Sequence, residues 1–367
     1  MPSLPPPWAQ IPPEIASVAD YEPWARERLT ASAWAYLAGG AGDELTLRRN
    51  RTAFDEIRLR GRVLEDLRGG HTRVQLFGQT FDSPILLAPV AYLKLAHPDG
   101  ELAAVVGATA AEAGCVLSTH SSTELEAVAA QSKRGRLWFQ LYPQPDREFT
   151  AALARRAEAA GCSALVVTLD APVNGNRNRE QRAGFRLPPG VEAVLARRLP
   201  PAPRYRGGAG QPLCGGILET ALTWNDVAWL RSLTRLPLLL KGVMDPADAA
   251  RAVECGVDGL IVSNHGGRTL DTLPAAIEVL PAIAARVDRR VPLLLDGGIR
   301  RGTDILKALA LGADAVLIGR PYVFGLAAAG AVGVAHVVNL LRAELEVAMA
   351  LTGCRDLKAI GRSVIWS

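Results

Sequence analysis

The chain has 367 residues, 49% of them apolar and 21% charged, so it can bury a sizeable core and fits one large α/β domain or two smaller ones. A formal charge of +4 is too small to argue for a nucleic-acid partner. Five scattered cysteines (Cys115, Cys162, Cys214, Cys255 and Cys354) have no metal-binding spacing, which predicts reduced thiols, no metal site and a cytoplasmic setting.

Residues 1–19 read as a loose, proline-rich tail without the basic-then-apolar order of a signal peptide. The spacing of Trp24, Leu29, Trp34 and Leu37 predicts one helix over 21–38, stopped by Gly39 and Gly40. Residues 43–57 read as a second, more polar helix. Residues 59–81 alternate in short runs broken at Gly69, Gly70 and Gly78, which suggests a small hairpin. This front section is expected to cap whatever follows.

From Pro84 the pattern becomes regular. Eight short apolar runs (85–91, 115–118, 137–142, 164–170, 238–241, 259–264, 292–296 and 315–319) alternate with Ala-rich helical segments. Continuous apolar strands separated by helices mean a parallel sheet covered on both faces. Eight units of this size predict a (β/α)8 TIM barrel with an N-terminal helical cap, residues 20–367 forming one domain. An open doubly wound sheet is the alternative, but the glycine fingerprint expected after its first strand is absent. Helix punctuation agrees with the barrel. Asp245 caps a helix that begins at Pro246 and closes at Gly256; Thr303 is expected to cap one that Gly312 ends. The stretch 171–222 breaks the rhythm as a long loop after strand four. It carries eight arginines from Arg177 to Arg206 against two acids there, Glu180 and Glu192, and reads either as a solvated insertion or as a lid that attracts anions. Residues 321–341 lack charge but include His336, Asn339 and several glycines, and read as a buried helix, not a membrane span. The last four residues carry no peroxisomal address.

Barrel enzymes build their sites where the strands end. Here those ends are polar: Ser118, Gln140 and Tyr142, Thr168 and Asp170, Lys241, His265, Asp296 and Gly319. His265 and Arg268 stand three apart across two glycines, so a proton acceptor and a carboxylate-binding guanidinium share one turn. A capped turn at a strand end would look the same. Gly297, Gly298 and Gly319, with Arg300 and Arg320, point to a phosphate between the last two loops. Lys241 and His265 would face the reacting end of a phosphorylated ligand. His120 is close enough to strand two to reach the mouth or to lie beside it. His71 reads as a surface residue, His97 as part of a helix entry, His336 as helix packing, and Trp224 and Trp229 as packing on the barrel.

Over about residues 20–362 these motifs resemble the FMN-dependent 2-hydroxy-acid oxidase and dehydrogenase family, most specifically in 263–271 and 295–304, with support from 238–243 and 319–321. The resemblance implies His265 as the active-site base, Asp170 as its carboxylate partner and Tyr142 near the substrate hydroxyl. It implies Tyr36, Arg177 and Arg268 on the substrate carboxylate and His120 toward the substrate side chain. Pro89, Val90, Ala91, Ser118, Gln140, Thr168, Lys241 and Ser263 would then meet the isoalloxazine. Asp296, Gly298, Arg300, Gly319 and Arg320 would hold the ribityl phosphate. The implied reaction takes a small (S)-2-hydroxy acid to the 2-oxo acid, with O2 as acceptor giving H2O2, in a homo-oligomer, often a tetramer.

Several positions depart from the family pattern. Val90 stands where many members have threonine, His120 where glycolate oxidase-like members have tryptophan, and Thr269 where glutamine is frequent. No haem domain is read ahead of the barrel, and no membrane-binding insert in the long loop. A lactate- or mandelate-type dehydrogenase that passes electrons to a quinone or carrier is the alternative within the family. A non-redox FMN-binding isomerase, or a flavin-binding protein without turnover, is the alternative outside it. Both outside readings leave the set His265, Arg268, Tyr36 and Asp170 without a purpose.

Overall fold

The computed structural model describes residues 5–132, 136–196 and 221–366. Its eight apolar runs form β3 (Ile85–Leu87), β4 (Gly114–Ser118), β5 (Leu137–Leu141), β6 (Leu165–Thr168), β7 (Leu238–Val243), β8 (Gly259–Val262), β9 (Leu293–Asp296) and β10 (Ala315–Ile318). They pair in parallel, in chain order, and β10 closes on β3: a (β/α)8 barrel. Five strands stop short of the predicted runs at the mouth end, where the chain leaves the ladder.

Strand side chains alternate between two cores. Leu86, Val116, Trp138, Val166, Leu239, Ile261, Leu294 and Leu317 share the barrel interior. Their neighbours, such as Leu87, Leu117, Phe139 and Leu240, pack outward on the helical layer. A front hairpin, β1 (Val74–Leu76) and β2 (Gln79–Phe81), plugs the floor of this interior, with Phe77 and Phe81 edge-on to Trp138. Only the opposite end, where the strands finish, stays open.

The front helices cover that open end. The predicted 21–38 helix is two helices, α1 (Tyr21–Arg28) and α2 (Ala31–Ala38). The break comes at Leu29 and Thr30, both extended, where the Thr30 hydroxyl accepts from Ala33 N at 3.1 Å and starts α2 afresh. The polar helix is α3 (Leu45–Glu56). Asn50 on α3 exchanges two buried side-chain hydrogen bonds with Asn264, each 2.8 Å. Gly298 permits this approach: a Cβ there would lie 1.9 Å from the Asn50 carbonyl oxygen.

Three further expectations are corrected. The 1–19 tail is docked along its described part: Trp8 N donates to Ala328 O at 2.8 Å, and the indole sits between Tyr21, Trp24 and the Arg28 guanidinium. That carbonyl lies beside a kink at Ala329 and Gly330 in the long final helix, Arg320–Leu351. This helix is long and apolar enough to cross a membrane, but 67% of its most apolar window is buried inside the protein, as expected for residues 321–341. Thr303 does not cap its helix. Gly302–Ala310 is capped by Asp304, whose Oδ2 accepts from Arg300 N and Arg301 N at 2.9 Å each, because the carboxylate one turn in reaches back to both donors. The Asp245–Pro246 start is as read, with Asp245 accepting from Ala247 N and Asp248 N. His71 is half-buried instead of on the surface, because it folds in behind the Thr72 and Arg355 contacts. Cys214 and four of the loop arginines (Arg197, Arg198, Arg204 and Arg206) lie outside the described residues.

Asp271 ties the loop after β8 to the cap. Its carboxylate accepts from Asp43 N, Leu45 N and Thr46 N at 2.9, 3.3 and 2.8 Å, satisfying free donors at the start of α3. Burial raises the Asp271 pKa, but these donors outweigh it and hold the carboxyl below its ordinary range. Its stabilisation is therefore present above the ordinary carboxylate pKa and is lost as pH falls through the lowered one. Asp271→Asn is expected to cost about 1–2 kcal/mol in urea unfolding at pH 7, with the deficit shrinking toward roughly pH 3.

Candidate active site

The barrel interior builds the site in tiers. Two residues beyond the apolar floor, on the same face, the strands carry Ala88, Ser118, Gln140, Thr168, Lys241, Ser263, Asp296 and Gly319. Two further along come Val90, His120, Tyr142, Asp170 and His265. A period of two thus sorts the predicted site residues into a lower and an upper tier above one hydrophobic plug.

The lower tier is hydrogen-bonded around the wall. Ser118 Oγ donates to Gln140 Oε1 at 3.1 Å, and Gln140 Nε2 to Thr168 Oγ1 at 3.0 Å. Across the barrel, Lys241 Nζ donates to Ser263 Oγ at 2.8 Å and pairs with Asp296 at 2.9 Å. Ser263 in turn donates to Asp296 at 2.5 Å. Burial pushes the Lys241 pKa down, but Asp296 and Asp170 outweigh it and keep the ammonium charged.

The upper tier holds the titratable pair. His265 Nδ1 lies 2.8 Å from Asp170 Oδ1, and Nε2 lies 3.4 Å from the Tyr142 hydroxyl. With Nδ1–H donating to the carboxylate, the Nε2 lone pair faces the mouth and can take a proton. Burial raises Asp170, but His265 and then Lys241 outweigh it and hold its carboxyl below the usual value. Burial holds the Tyr142 phenol protonated, reinforced by Asp170. His265 adopts φ +57°, followed by Gly266 and Gly267 at +63° and +73°. Such a left-handed non-glycine costs on the order of 1 kcal/mol or more and persists only where its surroundings over-determine it. Here the His265 N–H donates to Ser263 Oγ, the Gly267 N–H to Asn264, and the ring to Asp170. Asp170 gets close because β7 bulges at Gly242, where a Cβ would lie 2.6 Å from the Asp170 side chain.

The cap and the long loop complete the mouth. Arg268 sits over the Tyr36 ring at 5.1 Å and donates to the Tyr36 and Gly39 carbonyls. Arg177, in the described part of the loop, reaches the same place: it pairs with Glu180, as Arg268 does, and its charge, after that of Arg268, opposes the upward push of burial on the Tyr36 phenol. Phe185 stacks on Tyr36 at 4.5 Å. His120 does reach the mouth. Its ring stacks against Tyr92 and Tyr142 at 5.9 and 5.1 Å, and burial, then Arg177, pushes its pKa down to about 4, so it is neutral at pH 7.

On the far side, Arg320 donates to the carbonyls of Ala38, Gly39 and Gly266. Burial, then Arg268 and Arg300, lowers its pKa well below the ordinary arginine value. Arg300 is likewise lowered by burial and donates only to Ile299 O from its side chain, among the described contacts. Neighbouring half-buried guanidiniums bonded to neutral carbonyls call for an anion. Two buried polar atoms also lack a partner in the mouth, Arg177 Nε and Asp170 Oδ2. Pro89, Val90 and Ala91 line the mouth half-buried after β3. A wall of donors and acceptors, a buried ammonium and a cationic pocket for a phosphate form the donor set that FMN requires.

Sequence reading missed Asn50, Gly242, Glu180 and the aromatic partners Tyr92 and Phe185. Glu180 had a signal, as one of two acids in an arginine-rich run, three residues after Arg177. The others depend on contacts remote in sequence.

Residues 25–367 match the model of the family described as FMN-dependent dehydrogenase. An L-lactate oxidase from Nostoc sp. is 48% identical over 354 residues, covering 94% of this chain and 96% of that protein. The glycolate oxidase of Spinacia oleracea is 43% identical, covering 96% of each. A solved mandelate oxidase structure with (S)-4-hydroxymandelic acid superposes with a TM-score of 0.87 at 42% identity, covering 96% of this chain and 98% of that one. With a matching barrel, an acid–base pair at its mouth and a cofactor pocket of the right chemistry, the chain belongs to the FMN-dependent dehydrogenase family and is an FMN-dependent oxidoreductase.

Proposed function

We propose that the protein oxidises a small (S)-2-hydroxy acid to the 2-oxo acid and passes the electrons to O2, giving H2O2. The observation that carries this reading is that the His265–Asp170 pair and the Arg177–Arg268–Tyr36 group converge on one mouth. Relatives named L-lactate oxidase, 2-hydroxyacid oxidase and glycolate oxidase support both the substrate class and the acceptor.

FMN, when bound, accepts the two electrons that leave the substrate carbon. Arg268, Arg177 and Tyr36 hold the substrate carboxylate, which fixes the acid and turns its hydroxyl-bearing carbon inward. His265 Nε2 takes the proton. Asp170 keeps Nδ1 protonated and stabilises the imidazolium that forms. The Tyr142 phenol donates toward the substrate hydroxyl. Lys241 would supply fixed positive charge to the ring, favouring the negative charge that reduction brings. Pro89, Val90, Ala91, Ser118, Gln140, Thr168 and Ser263 would hold the flat ring. Asp296, Gly298, Arg300, Gly319 and Arg320 would hold the ribityl phosphate.

We infer that His120, neutral and stacked between Tyr92 and Tyr142, bounds the substrate side chain with its ring and selects a methyl group over a phenyl ring. The free cysteines Cys115, Cys162, Cys255 and Cys354 suit the reducing cytoplasm, which we include in the proposal together with a homotetramer.

Asp170→Asn is expected to lower kcat by on the order of 10²–10⁴, because the imidazole loses its tautomer and its counter-charge. Unchanged kcat in stopped-flow assays would contradict the role of the pair. L-lactate is expected to exceed L-mandelate in kcat/KM by about tenfold or more, with the gap closing in His120→Ala. Peroxide should form one for one with 2-oxo acid, and turnover should stall without O2. Continued turnover with a dye alone would favour a dehydrogenase.

A further inference from the structure

The long loop brings one acid into the mouth. Glu180 lies on a short helix, Asn178–Arg182, with its side chain 15% exposed. Its Oε1 is 3.3 Å from Arg177 Nη1 and 3.2 Å from Arg268 Nη2. These guanidiniums arrive from different parts of the chain, one from the loop after β6 and one from the turn after β8. Glu180 is the carboxylate that pairs with both. Of the other acids nearby, Glu44 is engaged by Arg179 and by the Gly40 N–H, and Asp170 by His265. The group Arg177–Glu180–Arg268 therefore carries two positive charges and one negative.

We propose that Glu180 is a specificity and positioning residue: it holds Arg177 and Arg268 together and sets the local charge so that the site accepts acids with one carboxylate and discriminates against those with two. The inference rests on the 2-hydroxy-acid reading above. Two like charges in a dry mouth repel, and a carboxylate between them removes that repulsion. The remaining single positive charge matches one carboxylate, and Arg177 Nε, buried without a partner, is a donor still to be used. A second carboxylate on the ligand would meet Glu180 instead of a free guanidinium.

The test uses the FMN-loaded protein and two probes of nearly the same shape, oxamate with one negative charge and oxalate with two. Binding is read by calorimetric titration, independently of turnover. Glu180→Gln removes the charge and keeps an acceptor; Glu180→Asp keeps the charge. Glu180→Gln is expected to shift the oxalate-to-oxamate affinity ratio toward oxalate by about tenfold or more, the size of one unscreened charge several ångströms away. Glu180→Asp is expected to keep the wild-type ratio. Loss of both probes in Glu180→Gln, with FMN retained and binding restored in Glu180→Asp, also supports the positioning role. A ratio unchanged in Glu180→Gln overturns the proposal while leaving the 2-hydroxy-acid reading intact. If the wild type binds neither probe, that reading falls as well.

Discussion

The site depends on a short contact between two side chains from different strands, the 2.8 Å approach of Asp170 to His265. Neither strand delivers it by regular geometry. β7 must bulge at Gly242 to make room for Asp170, and the chain after β8 must run through three successive left-handed residues to aim the imidazole. Both departures cost stability, and both are held by bonds to the surrounding tiers: Ser263 under the His265 amide, Asn264 under the turn, and Asn50 behind Asn264. The helical cap thus does more than cover the barrel. Through Asn50 and Asp271 it fixes the loop on which His265 stands.

Charge organises the rest of the mouth. Below its polar tiers the barrel interior is an apolar plug, so a charge above it is strongly felt. Lys241 is balanced by Asp296, and Arg177 with Arg268 by one glutamate, while Asp170 is hydrogen-bonded to the His265 ring. The side chains of Arg300 and Arg320 have no such carboxylate among their described hydrogen bonds. That imbalance has the sign a phosphate needs. A ligand that fills it binds the folded state alone, so FMN stabilises the protein by mass action as well as equipping it.

The barrel was legible because its strands are continuous apolar runs ending in polar residues, a pattern set by burial on both faces. The polar strand ends single out Ser118, Gln140, Thr168, Lys241 and Asp296 in the sequence; that they share one wall comes from the two-residue alternation seen in the structure. What escaped the sequence was what distant segments do to each other. Leu29 and Thr30 sit inside good apolar spacing, so the break between α1 and α2 was hidden; only the Thr30 cap reveals it. Thr303 looked like a cap, while Asp304, one residue later, reached back and took its place. The tail looked loose because a proline-rich segment has no periodicity, yet Trp8 finds a carbonyl beside a helix kink more than 300 residues away. Gly298 points to a phosphate in the sequence, and its missing side chain also admits the Asn50 carbonyl.

The central claim is that His265 takes the proton whose removal lets the substrate carbon give up its electrons. Anaerobic mixing of FMN-loaded His265→Gln with L-lactate, followed by loss of flavin absorbance, tests it most directly. The account predicts flavin reduction at least about 10²–10⁴-fold slower than in the wild type, with FMN content and visible spectrum retained. Flavin reduction at the wild-type rate would contradict it.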